Sequence, residues 1–406
     1  MKVQKGRRRI YMQNKCIGGV LIVAGTVIGA GVLAVPVLTA LDGFFPASLL
    51  YTLAWLVSLA SGYGYLEVLT WCKGNKQANL CSMAEETLGK VGRIVLCLVY
   101  LFLFYSLLVA YFCDGGNILS RMLGDGVLEN PWARHVMPIL FFCIFAPLLM
   151  AKTSIIDYCN RVFVFGLILV FGLFCILGAP RVQGDLLLRA SWFSSLNSLP
   201  IFFLAFGFQN VVPSLYHYLD GDVREVKRAI FIGSLIPLVL YVIWEALVLG
   251  TVPLVYLLKA KELGWTAAGA LQGALKNSAF HIAGELFGFF ALVTSFIGTA
   301  LALKDFYIDI FKWDARKQRL NLFLLVLVFP LVWAVSYPEI VLSCLRYAGG
   351  IGGACIIVLF PVAMLWNGRY GKRHCSGKQI LPGGKTVLLI LLGYTVLNLA
   401  TLYYTF

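Results

Sequence analysis

The chain has 406 residues, of which 60% are hydrophobic and only 13% charged, and it carries a formal net charge of +14. Soluble domains run at roughly 45–50% apolar and about 25% charged, so a disordered chain, a soluble enzyme and an ordinary nucleic-acid binder are excluded. The mean hydropathy of +0.86 names lipid as the solvent, and the useful question about the positive charge is where Lys and Arg sit along the chain.

A helix that crosses the hydrocarbon core needs about 20 apolar residues. Only helices and closed barrels satisfy their own backbone in lipid. Barrel strands would alternate over roughly 10 residues, whereas this chain has long unbroken apolar runs, which predict an all-α integral membrane fold. Eleven spans are read in order: residues 15–40, 44–71, 94–120, 135–152, 160–179, 199–219, 229–253, 281–303, 320–336, 339–366 and 385–405. Residues 1–14 form a basic, cytoplasmic N-terminus before them. The first apolar run is too long for a cleavable signal and has no clear cleavage site, so it reads as a retained helix.

The basic residues test this count. With the N-terminus in the cytoplasm, 25 of the 33 Lys and Arg fall in cytoplasmic segments, seven in outer loops, and Arg346 within a span. Positive residues concentrate inside, and one span more or fewer in the first half would destroy the bias. The expected C-terminus is therefore outside. The 11 Cys lie scattered, without a C-x-x-C pair, and read as small core hydrophobes. The four His have no metal-ligand spacing; no metal and no cofactor is expected. The positive charge marks orientation, so no nucleic-acid partner is expected either.

Two spans are interrupted. The first contains Ala24-Gly-Thr-Val-Ile-Gly-Ala-Gly-Val-Leu-Ala-Val-Pro36. Gly costs about 1 kcal/mol and Pro about 3 in a helix interior. The sixth contains Phe203-Leu-Ala-Phe-Gly-Phe-Gln-Asn-Val-Val-Pro213, with two amides at membrane depth. Small residues also serve close helix packing. However, Gly/Pro interruptions at corresponding places in two halves mark the midplane site of a transporter. Spans 1 and 6 are where the halves of a five-plus-five inverted repeat would begin, here residues 15–179 and 199–366, with 385–405 added as an eleventh helix.

An unwound helix frees N–H and C=O groups. The half-helix that follows offers donors and a positive dipole end to a carboxylate, and the one that precedes offers carbonyls to an ammonium group. Glycine lets a ligand approach the backbone. The expected substrate site is Thr26, Gly29, Ala30 and Gly31 with Gly207, Phe208, Gln209 and Asn210. An aromatic substrate would also want a dry pocket with rings and one polar handle, for which Tyr105 and Ser106 on span 3 and Phe208 are candidates.

These residues carry a family resemblance. I-V-A-G-T-V-I-G-A-G-V-L-A-V-P (22–36) resembles the opening signature of the bacterial hydroxy/aromatic amino-acid permeases. That family includes tyrosine-specific and tryptophan-specific transporters of the amino-acid/polyamine/organocation superfamily. Further similar stretches are Tyr105-Ser-Leu-Leu-Val-Ala-Tyr111, F-G-F-Q-N-V-V-P-S-L (206–215), G-S-L-I-P-L-V-L-Y-V-I-W-E (233–245), T-S-F-I-G-T-A-L-A-L-K-D-F (294–306) and Y-A-G-G-I-G-G (347–353). The resemblance covers essentially the whole chain. It departs at Gln209-Asn210, Lys304 and Arg346. It implies a leucine-transporter-like fold with broken helices 1 and 6, and import of tyrosine or tryptophan across the bacterial cytoplasmic membrane. Such families are mostly proton symporters, and the coupling ion expected from the resemblance is H+.

Sodium stays open on the residues themselves. Ala291, Thr294 and Ser295 form an A-x-x-T-S arrangement on span 8, and oxygen ligands suit a hard cation. Hydroxyls also bond back to their own helix. Ionisable residues stand out in the spans at Glu67, Glu245, Glu285 and Arg346. Such residues usually face the bundle, pair or relay protons, and Glu245, the most deeply placed carboxylate, is the proton-relay candidate. The stretch Asp220-Gly-Asp-Val-Arg-Glu-Val-Lys-Arg228 reads as a solvated loop or an ion-paired gate, and residues 254–280 as a short cap. The phosphate-binding pattern G-x-x-x-x-G-K-[ST] is missing, and no catalytic side-chain set is apparent, so an enzyme is not expected. A carrier and a non-transporting sensor of amino acids share these features. The expected partners are a small amino-acid substrate and membrane lipid, with oligomeric state left open.

Overall fold

The computed structural model describes residues 2–29, 31–72, 79–124, 130, 132–151, 153–262, 267, 269–271, 278–314, 317–338, 344, 347–371 and 379–404. Among these residues the chain is helical, and the one strand-like contact is an isolated bridge between Gly43 and Ala190. The helices in chain order are α1 Lys2–Val27, α2 Gly31–Leu38, α3 Phe44–Trp71, α4 Leu80–Leu123, α5 Ala133–Leu149 and α6 Thr153–Gly178. There follow α7 Leu199–Ala205, α8 Val212–Tyr218, α9 Val223–Thr251, α10 Leu254–Glu262 and α11 Ser278–Phe311. The last are α12 Arg319–Ser336, α13 Ala348–Tyr370 and α14 Gly384–Tyr404.

Among the described residues, eight helices are long and apolar enough to cross a membrane. The other three expected spans are the two interrupted ones and α5, which has 17 residues. Interruption divides an apolar run into pieces that each fall short of a crossing. The candidate cap contains α10, while its Trp265 lies outside the described residues, as do Ala30 and Arg346.

Local chemistry sets several boundaries. Span 3 was expected from residue 94, yet its helix starts at Leu80. Asn79 Oδ1 accepts the Ser82 N–H at 2.9 Å while Ser82 Oγ accepts the Asn79 N–H at 2.8 Å, a reciprocal cap that satisfies two otherwise orphaned donors. Gly89, at φ 85°, then turns the chain, a conformation that suits glycine. The mixed-charge stretch 220–228 is a tight turn into α9: Asp222 Oδ1 accepts the N–H groups of Arg224 and Glu225 at 3.0 and 3.3 Å. Lys15 on α1 pairs with Asp220 at 2.8 Å. Proline and glycine in α12 and α13 accompany π-helical turns at Leu324–Val328, Ala348–Gly353 and Cys355–Leu359.

Packing divides the helices into two groups. α9 runs along α1 and α3 and also touches α2, whereas α11 runs along α4 and α6, with α5 and α12 against α4. α13 meets α3, α4 and α7 and joins the groups. Each group has its own aromatic core. Tyr51, Phe202, Phe206 and Tyr241 cluster in the first, and Phe112, Phe141, Phe145 and Phe296 in the second.

Candidate functional site

The first span breaks where its glycines stand. α1 ends at Val27, Ile28 and Gly29 leave the helix, and α2 opens at Gly31. The need for glycine at 29 is steric, because a Cβ there would overlap Ser295 Oγ on α11. The sixth span breaks at Phe206–Phe208, between α7 and a 3-10 turn at Gln209–Val211. Pro213 then falls in the first turn of α8, where its missing N–H removes no helical bond.

Side chains from neighbouring helices meet the freed carbonyls. The Tyr241 hydroxyl on α9 donates to Val27 O at 2.5 Å and lies 3.2 Å from Ala205 O. Those are the last carbonyls of α1 and α7, so one phenol proton is shared between the ends of both broken helices. Ser58 on α3 donates to Phe206 O at 2.9 Å. Gln209 folds back on its own break: its Oε1 accepts the Phe208 N–H at 3.0 Å, and its Nε2 sits 3.4 Å from both Ser58 O and Ser58 Oγ. At 1% exposure this amide serves the break itself, since a buried N–H left unpaired costs about 1–3 kcal/mol. Asn210 follows, half-buried.

The A-x-x-T-S face of α11 lies against the first break. Ser295 Oγ donates to Ala291 O at 2.9 Å, and Thr294 Oγ1 reaches Phe290 O at 2.9 Å and Ala291 O at 3.0 Å. Those bonds engage the hydroxyl protons. From α4, the Tyr111 hydroxyl lies near enough to Ser295 and Thr299 for their hydroxyls to act on it. Gly29, Gly31, Gly207, Gln209, Thr294 and Ser295 therefore gather around the two breaks, with Tyr241 and Tyr111 beside them.

Other expected residues sit elsewhere. The Phe208 ring is fully buried and packs over Gly62 of α3. Tyr105 hydroxyl bonds Tyr307 hydroxyl at 2.6 Å and donates to Leu325 O at 3.1 Å, between α4, α11 and α12. Ser106 is buried on α4. Thr26 donates to Ile22 O at 2.8 Å in the last turns of α1.

Glu245 is fully buried on α9, one turn beyond Tyr241. Its Oε1 lies 2.5 Å from the Thr39 hydroxyl and its Oε2 3.2 Å from the Tyr51 hydroxyl. Glu67 is held differently. Arg369 grips it with Nε to Oε1 at 2.7 Å and Nη2 to Oε2 at 2.6 Å, and the N–H groups of Ile380 and Leu381 reach the same Oε2 at 2.7 and 2.9 Å. Glu285 pairs with Arg121 at 3.1 Å.

Sequence reasoning missed Thr39, Tyr51, Ser58 and Tyr241, ordinary-looking hydroxyls on apolar helices. It also passed over Asp114, a carboxylate inside span 3 on which Arg121 and Asn117 act from the same helix; a lone acid in an apolar run was the available signal. Among the described residues no cluster of metal-ligating side chains occurs.

Comparison with known proteins matches residues 12–401 to the tryptophan/tyrosine permease family. "Tyrosine-specific transport system 1" of Haemophilus influenzae is 32% identical over 391 residues, 95% of each chain. "Tyrosine-specific transport system 2" of the same organism is 29% identical over 392 residues, 95% of this chain and 96% of the relative. Its "Tryptophan-specific transport protein" is 30% identical over 399 residues, 94% of each chain.

Proposed function

The chain belongs to the tryptophan/tyrosine permease family, and from that premise we propose that it is a secondary carrier importing tyrosine or tryptophan across the bacterial cytoplasmic membrane by proton symport. The observation that carries this reading is the Tyr241 hydroxyl between Val27 O and Ala205 O. It draws the two helix interruptions into one place, where a zwitterion finds both of its partners. The substrate carboxylate faces the opening N–H groups of α2 at Gly31, and its ammonium the carbonyl ends of α1 and α7. The aromatic side chain lies toward Tyr111 and the faces of α4 and α11.

In this reading the chain crosses the membrane eleven times as a five-plus-five inverted repeat, with the N-terminus in the cytoplasm and the C-terminus outside. The interrupted spans count as full crossings. Alternating access is a rocking of the group α1–α3 and α7–α9 against α4–α6, α11 and α12. Glu245 carries the coupling proton: a carboxyl held by hydroxyls exchanges a proton without abandoning a cation. A sodium alternative is favoured by one observation, the convergence of Ala291 O, Thr294 and Ser295 beside Gly29.

The test is labelled tyrosine and tryptophan uptake into proteoliposomes under separately imposed proton and sodium gradients. Accumulation under the proton gradient is expected. Accumulation with sodium alone would replace the coupling ion. Binding without accumulation under either gradient would make the protein a sensor.

A further inference from the structure

Thr39 stands at the end of α2 that is remote from the first break. Its hydroxyl oxygen is 2.8 Å from Val35 O, one turn back in its own helix, and 2.5 Å from Glu245 Oε1 on α9. A hydroxyl has one proton, so these two acceptors compete for it. With Glu245 as carboxylate, the Thr39 proton goes to Oε1 in a charge-assisted bond, roughly twice as strong as a neutral one, and α2 is tied to α9. When Glu245 takes up a proton, the acid O–H donates to Thr39 Oγ1. The Thr39 proton then turns to Val35 O, and the tie between the helices falls to a neutral bond.

We propose that Thr39 is the positioning residue through which Glu245 communicates its proton to the substrate site. It acts on α2 as a lever. At about 1.5 Å per residue, its eight residues place Gly31, and with it the carboxylate-binding end, about 12 Å from Thr39. A change at one end of a single short helix is delivered to the other.

The surroundings suit a local exchange. Among the described residues, the titratable groups acting on Glu245 are Tyr51 from α3 and Asp42 from the turn after α2; Tyr241 adjoins through Tyr51. Phe202 packs edge-on against Tyr51, and Phe174 against Trp244, the residue before Glu245 on α9. Asp42 is itself buried, accepts from Ser198 at 2.6 Å, and is raised above the ordinary carboxylate range by that burial.

This inference rests on the proton-symport reading, and the experiment separates the two. Wild-type, T39V and T39S proteins are reconstituted in proteoliposomes. Labelled tyrosine is followed by counterflow exchange without a gradient and by accumulation under an imposed inside-alkaline gradient. For T39V, counterflow stays within about twofold of wild type while gradient-driven accumulation falls about tenfold or more, the scale of a charge-assisted hydrogen bond. T39S, which restores the hydroxyl, restores accumulation. T39V accumulating like wild type overturns the role of Thr39, and so does equal loss of counterflow and accumulation, or a T39S protein that remains uncoupled. A wild-type protein that exchanges tyrosine but ignores the proton gradient overturns the symport reading itself.

Discussion

Two buried regions of this protein solve the same problem in opposite ways. At the ends of α3 and α13, Glu67 is neutralised by a two-pronged bond from Arg369 and two backbone N–H groups, with side-chain exposures of 2% and 8%. On α9, Glu245 is held by the hydroxyls of Thr39 and Tyr51. Removing either member of a fully ionic pair strands its partner, so that region pins the chain entering α14 to two other helices. Hydroxyl partners both donate and accept, so the second region tolerates a change of proton count. The difference separates a carboxylate fixed by a cation from one held by hydroxyls alone, although both are fully buried.

The contrast can be broken outright. In the proposed mechanism E245Q, which mimics the protonated acid, abolishes gradient-driven tyrosine accumulation yet leaves counterflow and thermal stability close to wild type. An E245Q protein that accumulates normally would remove Glu245 from coupling. E67Q is expected to do the reverse, lowering stability by about 3–5 kcal/mol, read as a fall in the melting temperature of the detergent-purified protein. If E67Q melts like wild type, the ionic region is not a fastening.

Smaller effects sharpen the comparison around the two helix breaks. G29V drives a branched side chain into Ser295 and should weaken tyrosine binding by about 5–150-fold, the range of a 1–3 kcal/mol overpacking penalty. Scintillation proximity binding would measure this, with membrane insertion unchanged. Wild-type affinity in G29V would move the site away from the first break. Y241F keeps the ring against Tyr51 and Phe206 but loses the hydroxyl shared by Val27 O and Ala205 O. Its affinity for tyrosine should drop by roughly 2–10-fold, matching about 0.5–1.5 kcal/mol for one hydrogen bond.

Much of the fold was legible because its signals are local. The run from Ala24 to Pro36 announces its own interruption, and the helix does leave its path at Ile28 and Gly29. Phe206-Gly207-Phe208 does the same in span 6. Around the candidate site, the backbone interruptions were legible and the side-chain partners were not. Gln209 looked like a ligand-facing amide, since polarity at membrane depth demands a partner; the partner proved to be the adjacent Phe208 N–H. Tyr105 was attractive as an aromatic with a polar tip, and its hydroxyl is engaged by Tyr307 and Leu325 O. Neither engagement leaves a trace in residue spacing.

By itself the sequence determined the solvent, the helical class, the family and the two points where helices fail, because hydropathy, glycine and proline act on the residues around them. Tertiary structure alone decided who closes those points and which hydroxyls hold the buried carboxyl. Ser58 and Phe206 are 148 positions apart, Val27 and Tyr241 214, and Thr39 and Glu245 206. A hydroxyl on an apolar helix is neutral to the local pattern, and its role exists only once packing sets a freed carbonyl or a carboxyl within reach of its single proton.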